Sequence, residues 1–103
     1  MDIITALSGS GPAFYFKIID LMAKSAAKLG LDYNQALELS AQTALGSAKM
    51  IFENEFNIEQ LITNVTTKGG CTEVGNEVLN ASDIDKILDK TIQDTMIKSK
   101  NLA

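Results

Sequence analysis

The sequence contains no histidine, no tryptophan and no arginine, and it has one proline and one cysteine, Cys71. Without histidine, the chain cannot build a Ser-His-Asp or Cys-His catalytic arrangement from its own residues. One thiol and no imidazole leave almost no ligands for a structural zinc ion, so we expect no metal site. A single cysteine excludes an internal disulfide and is typical of a reducing compartment, and we therefore expect a cytoplasmic protein.

Positive charge is also scarce. The nine basic residues are all lysines, against thirteen acidic residues, and the net charge is −4. This balance argues against nucleic acid as a partner. No apolar run approaches the roughly 20 residues that span a bilayer, and no basic segment opens the chain as in a signal peptide, so we expect no membrane association. Because no guanidinium can hold an anion at two points, a small anion bound by this chain must rely on backbone N–H groups, hydroxyls or lysine.

The residues that are present favour helices. With 103 residues, 46% of them hydrophobic, we expect one small domain. Apolar residues recur at steps of three and four, and three pairs typical of helix starts precede such runs: Asp32 with Gln35, Asn57 with Gln60, and Ser82 with Asp85. These patterns predict an all-α domain of five helices, over residues 12–29, 32–53, 57–64, 72–80 and 82–99. In the last helix, charge spacing predicts the ion pairs Lys90–Asp94 and Asp94–Lys98.

The first predicted helix is apolar on nearly its whole circumference, and such a helix must be buried on most sides. A domain of this size has difficulty surrounding it alone, so we expect a partner chain or domain to cover it. In the second helix, Gly46 costs about 1 kcal/mol relative to alanine, which predicts a close approach of another helix. Gly75 is interpreted as a position without room for a bulky side chain, and Val74, Val78 and Leu79 are expected to point inward.

The segment from Ser8 to Pro12 mimics a phosphate-binding glycine loop that follows a strand. The dinucleotide fingerprint needs a third glycine three residues after Gly11, where Phe14 stands, and no βαβ unit follows. The better interpretation is that Gly11 caps a helix and that Pro12 takes the first helical position, where its missing N–H costs nothing.

The stretch most indicative of a site is Thr66-Thr67-Lys68-Gly69-Gly70-Cys71-Thr72. Paired glycines let the backbone turn sharply and approach a ligand closely. The helix predicted to begin near Thr72 presents unpaired N–H groups to this loop, and a helix N-terminus beside hydroxyls can bind a small carboxylate or phosphate. On spacing alone, a plain helix–helix turn with a glycine C-cap and a threonine N-cap is the simpler interpretation.

Three segments carry a family resemblance: Ile4 to Phe14, Ala41 to Met50, and Val65 to Thr72. In this order and spacing they resemble the opening segment, the second dimerisation helix and the substrate loop of the C-terminal domain of pyrroline-5-carboxylate reductases. The usual pattern of that loop is Val-Thr-Ser-Pro-Gly-Gly-Thr-Thr. The resemblance covers essentially the whole chain, residues 1–103. It implies an interlocked all-α homodimer, as in 6-phosphogluconate-dehydrogenase-like reductases, and a nucleotide-binding domain of the Rossmann type that is absent from this chain.

The resemblance implies that this chain is the dimerisation and substrate-binding part of an enzyme. That enzyme would reduce 1-pyrroline-5-carboxylate to L-proline with NADPH or NADH, which is the last step of proline synthesis. Thr67 and the N–H groups of Gly70 and Cys71, beside Gly69, would hold the carboxylate of this imino acid. Thr72 matches the threonine that hydrogen-bonds the ring nitrogen and would stabilise charge developing there. Cofactor-binding residues would lie mainly in the absent domain, so we expect no cofactor and no turnover in this chain alone. Whether dimers assemble further into rings stays open.

Two positions depart from the family pattern. Lys68 replaces a proline, which loosens the loop but adds a charge able to attract the substrate carboxylate. Cys71 replaces a small residue or threonine, and we expect it to contribute its backbone N–H.

Two other functions fit the same residues. A non-catalytic, all-helical dimerisation module would dimerise without any response to a small molecule. A reductase of hydroxy acids with a similar helical domain would commonly use a lysine or histidine in catalysis, and the Thr-Thr-Lys-Gly-Gly-Cys-Thr loop is not typical of such enzymes.

Overall fold

The computed structural model describes residues 2–102, and these form helices and turns without any β-strand. The helices are α1 (Asp2–Ile4), continued by a π-helical turn (Thr5–Gly9), then α2 (Gly11–Lys28), α3 (Tyr33–Glu53), α4 (Ile58–Val65), α5 (Cys71–Ala81) and α6 (Ile84–Leu102). The prediction of an all-α fold is confirmed. The described residues hold six α-helices rather than five, because the N-terminal segment is also helical.

This N-terminal helical segment is the main departure from the predicted elements. The Ser10 N–H donates to the Thr5 carbonyl at 3.0 Å, which closes the π-turn, and the Ser8 hydroxyl donates to the Ile4 carbonyl at 2.8 Å. Ala6 is completely buried, and the π-turn packs against α6 and α1. Packing against a helix from the far end of the chain therefore determines the conformation here, and a short apolar stretch gives no local sign of it.

The chain folds as two compact units. One contains residues up to Pro12 together with those from Thr63 onward, and the other contains Ala13–Ile62. In the first unit, α6 packs against α1 and the π-turn. The C-terminal part of its predicted apolar face is half-buried there, at Thr91, Ile92, Thr95, Met96 and Ser99. The N-terminal part of the same face is exposed, at Ile84, Ile87 and Leu88.

Most helix ends follow the capping rules read from the sequence. After α2, Gly30 has a φ of +112°, the Leu31 N–H donates to the Ala26 carbonyl at 3.2 Å, and the Gly30 N–H donates to the Ala27 carbonyl at 3.1 Å. These bonds form a Schellman motif. The Asp32 carboxylate accepts from the Gln35 N–H at 3.1 Å, as predicted.

The start of α4 also follows its prediction, and the start of α6 does so in part. The Asn57 side chain accepts from the Gln60 N–H at 3.1 Å. Ser82 is the C-cap residue of α5, and its hydroxyl also accepts from the Ile84 N–H at 3.3 Å, which is the kind of bond an N-cap residue makes. The predicted pairing of Ser82 with Asp85 is not among the described hydrogen bonds. The Ser82 hydroxyl donates to the Leu79 carbonyl at 2.6 Å instead.

The end of α3 has a conformation that the sequence did not indicate. Glu55 and Phe56 both have positive φ, at 57° and 64°, which is uncommon for residues other than glycine. The Phe56 N–H donates to the Ile51 carbonyl at 2.9 Å. The Phe56 ring meets the Phe52 ring edge to face, with centroids 5.6 Å apart, so a backbone bond and a ring contact together hold this turn.

Many large apolar side chains are left on the surface. On α2, Tyr15 is 64% and Phe16 is 69% exposed, and Met22 is also exposed. Among the described residues, the completely or almost completely buried apolar side chains are Ala6, Ala23 and Ala36. The first helix is thus apolar on most sides, as its pattern indicated, yet the described residues cover it only in part and leave its large side chains exposed. No helix within residues 2–102 is long and apolar enough to cross a membrane.

Two predictions of tight packing are not met within the chain. A Cβ placed at Gly46 or at Gly75 would have no neighbour within 4 Å, so nothing in the same chain crowds these glycines. The predicted inward residues of α5 are exposed: Val74, Val78 and Leu79. The sequence pattern marked apolar faces correctly, but it could not tell a face covered by the same chain from one left open.

Polar side chains link the start of α3 to α2. The Tyr33 hydroxyl donates to the Asp20 carboxylate, and the Lys24 ammonium lies 2.9 Å from the other carboxylate oxygen. The Tyr33 hydrogen bond, followed by the Lys24 hydrogen bond, lowers the pKa of Asp20 below its ordinary value. On α6 the predicted Lys90–Asp94 pair is present at 2.9 Å, whereas Lys98 does not form the second predicted pair among the described ion pairs.

The Asp20–Tyr33 hydrogen bond makes stability depend on pH. Because the pKa of Asp20 is lowered on folding, its contribution is complete above the ordinary aspartate pKa and is lost as the pH falls through the lowered one. We expect Tyr33→Phe to raise the pKa of Asp20 in a carboxyl NMR titration. We also expect it to lower the free energy of unfolding at about pH 6 by more than at about pH 3. Tyr15→Phe is the matched control, and equal losses at both pH values in Tyr33→Phe would contradict the linkage.

Candidate functional site

The loop between α4 and α5 is a tight turn held by its own backbone. Beyond the end of α4, the Thr66 N–H donates to the Thr63 carbonyl at 3.1 Å. The Gly70 N–H then donates to the Thr67 carbonyl at 2.9 Å, which closes a four-residue turn with Lys68 and Gly69 at its centre. Gly69 has a φ of +77°. This is the third-position angle of a type II turn, where glycine is favoured.

The second glycine of the pair is required for a different reason. Gly70 has an extended backbone, with φ −92° and ψ 177°, and stands immediately before α5 without a side-chain cap. A Cβ at this position would lie 3.0 Å from the Thr67 carbonyl oxygen and 3.4 Å from the Thr67 Cβ. A side chain at Gly70 would therefore push against the backbone of the turn, and a tight approach of loop to helix needs glycine here.

Helix α5 begins at Cys71, one residue before the predicted start. The N–H groups of Cys71 and Thr72 belong to the first turn, so they have no acceptor within the helix. The positive end of the helix dipole favours an anion at the same place. Thr67, Cys71 and Thr72 are all exposed, and the structure thus brings the predicted residues to one accessible helix end.

The glycine N–H groups are already engaged within the loop. We predicted that the Gly70 N–H would bind a carboxylate, but the turn uses it for the Thr67 carbonyl. The Gly69 N–H donates to the Glu73 carboxylate at 3.0 Å. In this structure the donors left for an anion are the N–H groups of Cys71 and Thr72, the hydroxyls of Thr67 and Thr72, and the Lys68 ammonium.

Two residues of α5 support the loop and were missed in the sequence. Glu73 reaches back to Gly69 from the third helical position, and a glutamate at that position is a known helix-start signal. Asn76 donates from its side-chain amide to the Thr66 hydroxyl at 3.3 Å. It lies one helical turn beyond Thr72, so the 3.6-residue period could have drawn attention to it.

The glycines of residues 8–12 do not form the dinucleotide fingerprint. Gly9 ends the π-turn and Gly11 begins α2, so the N-terminal glycines lie in a helical segment and follow no strand. A Rossmann-type site needs a βαβ unit with a glycine-rich turn after its first strand. The structure supports the interpretation of this segment as a helix start and not as a phosphate loop.

Comparison with known proteins gives a consistent result over the whole chain. Residues 1–102 match the family model described as pyrroline-5-carboxylate reductase dimerisation. The pyrroline-5-carboxylate reductase of Aquifex aeolicus is 40% identical over 101 residues, and that of Haemophilus influenzae is 35% identical over 103 residues. These matches cover 98% and 99% of this chain, and the chain spans 38% of the length of each relative.

Solved structures agree with this match. A pyrroline carboxylate reductase from Plasmodium falciparum with NADP bound superposes with a TM-score of 0.92 at 32% identity, over 98% of this chain and 38% of that one. A pyrroline-5-carboxylate reductase from Coxiella burnetii superposes with a TM-score of 0.93 at 37% identity, over 99% of this chain and 38% of that one.

Gly70 is crowded by the turn and Gly75 in α5 is not, so substitutions at the two glycines together test the turn. We expect Gly70→Ala to displace the turn, because its Cβ would lie 3.0 Å from a backbone oxygen, and to destabilise the protein by about 1–3 kcal/mol. Gly75→Ala is the control, since a Cβ there meets nothing within 4 Å, and it should stabilise α5 by up to about 1 kcal/mol. Thermal melting of both variants checks this, and equal melting temperatures would show that Gly70 is not confined.

Proposed function

The chain belongs to the pyrroline-5-carboxylate reductase family, as its dimerisation domain, and on this basis we propose that it serves an enzyme that reduces 1-pyrroline-5-carboxylate to L-proline in proline biosynthesis. The observation that carries the proposal is the exposed N-terminus of α5, where the first-turn N–H groups of Cys71 and Thr72 and the hydroxyls of Thr67 and Thr72 lie at the end of the loop. These are donors suited to a small carboxylate, in a chain without arginine or histidine.

The proposed substrate carries a carboxylate beside a C=N bond, and the loop offers a donor for each. The N–H groups of Cys71 and Thr72 and the Thr67 hydroxyl would hold the carboxylate. The Thr72 hydroxyl would hydrogen-bond the ring nitrogen. A threonine hydroxyl is not ionised at neutral pH, but it can stabilise charge that develops on nitrogen during reduction and can relay a proton from water.

The rest of the reaction is proposed to depend on residues outside this chain. NADPH or NADH would supply the hydride, and because the described residues contain no βαβ unit, a nucleotide-binding domain outside them would hold most of it. In this proposal, therefore, the chain binds and orients the substrate and stabilises charge at the ring nitrogen. It would not turn over by itself.

We propose a homodimer as the working form of the domain. The exposed apolar faces of α2 and α3 support this proposal, because large side chains such as Phe16, Leu45 and Phe52 lie on the surface of one chain. Burial of apolar surface stabilises association by roughly 25 cal/mol per Å². Two copies that interlock through their helices, as in 6-phosphogluconate-dehydrogenase-like reductases, would cover these faces on most sides.

A non-catalytic helical dimerisation module is the alternative function. The same exposed apolar faces favour it, because they require a partner whether or not a ligand binds. A response to ligand distinguishes the two functions. Protection of the Gly69-Gly70 loop by proline or by the substrate would favour the substrate-binding domain, and dimerisation without any such response would favour the module.

The dimer is tested most directly at Gly46. Light scattering over a concentration series should give about twice the chain mass of 11.1 kDa for the unaltered protein. We expect Gly46→Leu to shift the protein towards monomer. No atom of its own chain lies within 4 Å of a Cβ there, so a loss of dimer reports a contact with the partner.

Gly46→Ala is the matched control and should remain a dimer, because alanine adds one methyl group and favours the helix. A monomer for the unaltered chain at all concentrations would overturn the dimer. A Gly46→Leu dimer of unchanged stability would place α3 outside the interface.

Thr72 is tested in the full-length enzyme by an NAD(P)H oxidation assay with 1-pyrroline-5-carboxylate. Thr72→Val removes the hydroxyl at nearly constant volume, and we expect kcat to fall by about a hundredfold with a smaller change in KM. Thr72→Ser keeps the hydroxyl and should retain most of the activity. If Thr72→Val turns over like the unaltered enzyme, Thr72 has no part in the chemistry.

A further inference from the structure

The carboxylate of Glu73 ties the first turn of α5 back to the middle of the loop. Its Oε1 accepts from the Gly69 N–H at 3.0 Å in a bond exposed to solvent, and the residue as a whole is half-buried. Among the described hydrogen bonds, it is the one side-chain bond to the turn of residues 67–70. A bond between a carboxylate and a backbone N–H is charge-assisted and stronger than a neutral one, so it can hold a turn that has little else to fix it.

The turn needs such a bond because neither of its central residues is rigid. Gly69 is at a φ of +77°, and glycine loses more conformational freedom on ordering than any other residue. Lys68 occupies the second position of the turn, where a proline would fix φ in advance. With lysine there, the backbone enters the turn without that restriction, and ordering the loop costs more entropy.

We propose that Glu73 is a positioning residue for the substrate loop, which holds Gly69 and so keeps the N–H groups of Cys71 and Thr72 and the Thr67 hydroxyl in place for a carboxylate. This inference rests on the proposed function. Glu73 does not touch the substrate in this arrangement and acts through the turn. Its hydrogen bond restricts the backbone of the turn, as the ring of a proline at position 68 would.

The hydrogen bond of Glu73 would favour binding of the substrate carboxylate by holding the loop, whereas the charge of Glu73 would disfavour it. A carboxylate near the helix N-terminus interacts favourably with the helix dipole, but it also repels a bound carboxylate nearby. A glutamine side chain keeps a carbonyl acceptor for Gly69 and removes the charge. Glu73→Gln and Glu73→Ala therefore separate positioning from charge.

The test is a set of variants in the full-length enzyme, with kcat and KM for 1-pyrroline-5-carboxylate measured for each. We expect Glu73→Ala to raise KM by about fivefold, the equivalent of one lost hydrogen bond, with kcat changed by less than about twofold. Glu73→Gln should keep KM near that of the unaltered enzyme or lower it. Adding Lys68→Pro to Glu73→Ala should restore most of the lost affinity, whereas Lys68→Ala, which removes the ammonium without fixing φ, should not.

Hydrogen exchange of the Gly69 N–H in this chain gives a second measurement that needs no activity. We expect faster exchange in Glu73→Ala and nearly unchanged exchange in Glu73→Gln. Glu73→Ala with unaltered KM, Glu73→Gln as impaired as Glu73→Ala, or no rescue by Lys68→Pro would each overturn the proposal. An unaltered enzyme without any imine reduction would instead refute the proposed function, whatever the exchange data show.

Discussion

Coverage of apolar helix faces is the constraint on which the rest of this structure depends. Hydrophobic burial is the dominant favourable contribution to folding, and here the deepest buried apolar side chains are alanines, at Ala6, Ala23 and Ala36. An alanine side chain is small, so burying these residues removes little apolar surface from water. The large residues that could remove more, such as Phe16 on α2, lie on the surface. If the chain forms the proposed homodimer, its folding and its association would therefore be energetically coupled.

Backbone hydrogen bonding determines which N–H groups of the candidate site remain open to a ligand. The turn satisfies the N–H groups of both glycines, Gly69 through Glu73 and Gly70 through Thr67. This leaves the first N–H groups of α5 as the ones open to a ligand. The division is useful chemically, because donors fixed in a regular helix need less reordering on binding than donors in a loop. In the proposed site, the loop would shape the approach of the ligand, and the first turn of the helix would present the N–H donors.

The features that could be predicted from the sequence are those set by neighbours along the chain. Gly30 after α2, the Asp32 cap of α3 and the Asn57 cap of α4 follow from short-range hydrogen bonding. The loop of residues 66–72 was identified for the same reason, because its glycines and threonines are local signals. What could not be predicted depends on distant residues. The helical form of residues 2–9 is set by packing against α6. The engagement of the Gly70 N–H depends on a turn geometry that composition leaves open.

The first compact unit is discontinuous in the chain, since its N-terminal part ends at Pro12 and resumes at Thr63. The π-turn around Ala6 packs against α6, which is made after the other described helices. Ribosomes add about 5–20 residues per second, so the N-terminal turn emerges several seconds before its packing surface exists. The segment of Ala13–Ile62 is complete well before that. During synthesis, the order of folding is therefore expected to run from the middle of the chain outward, and the N-terminal turn would settle only when α6 leaves the ribosome.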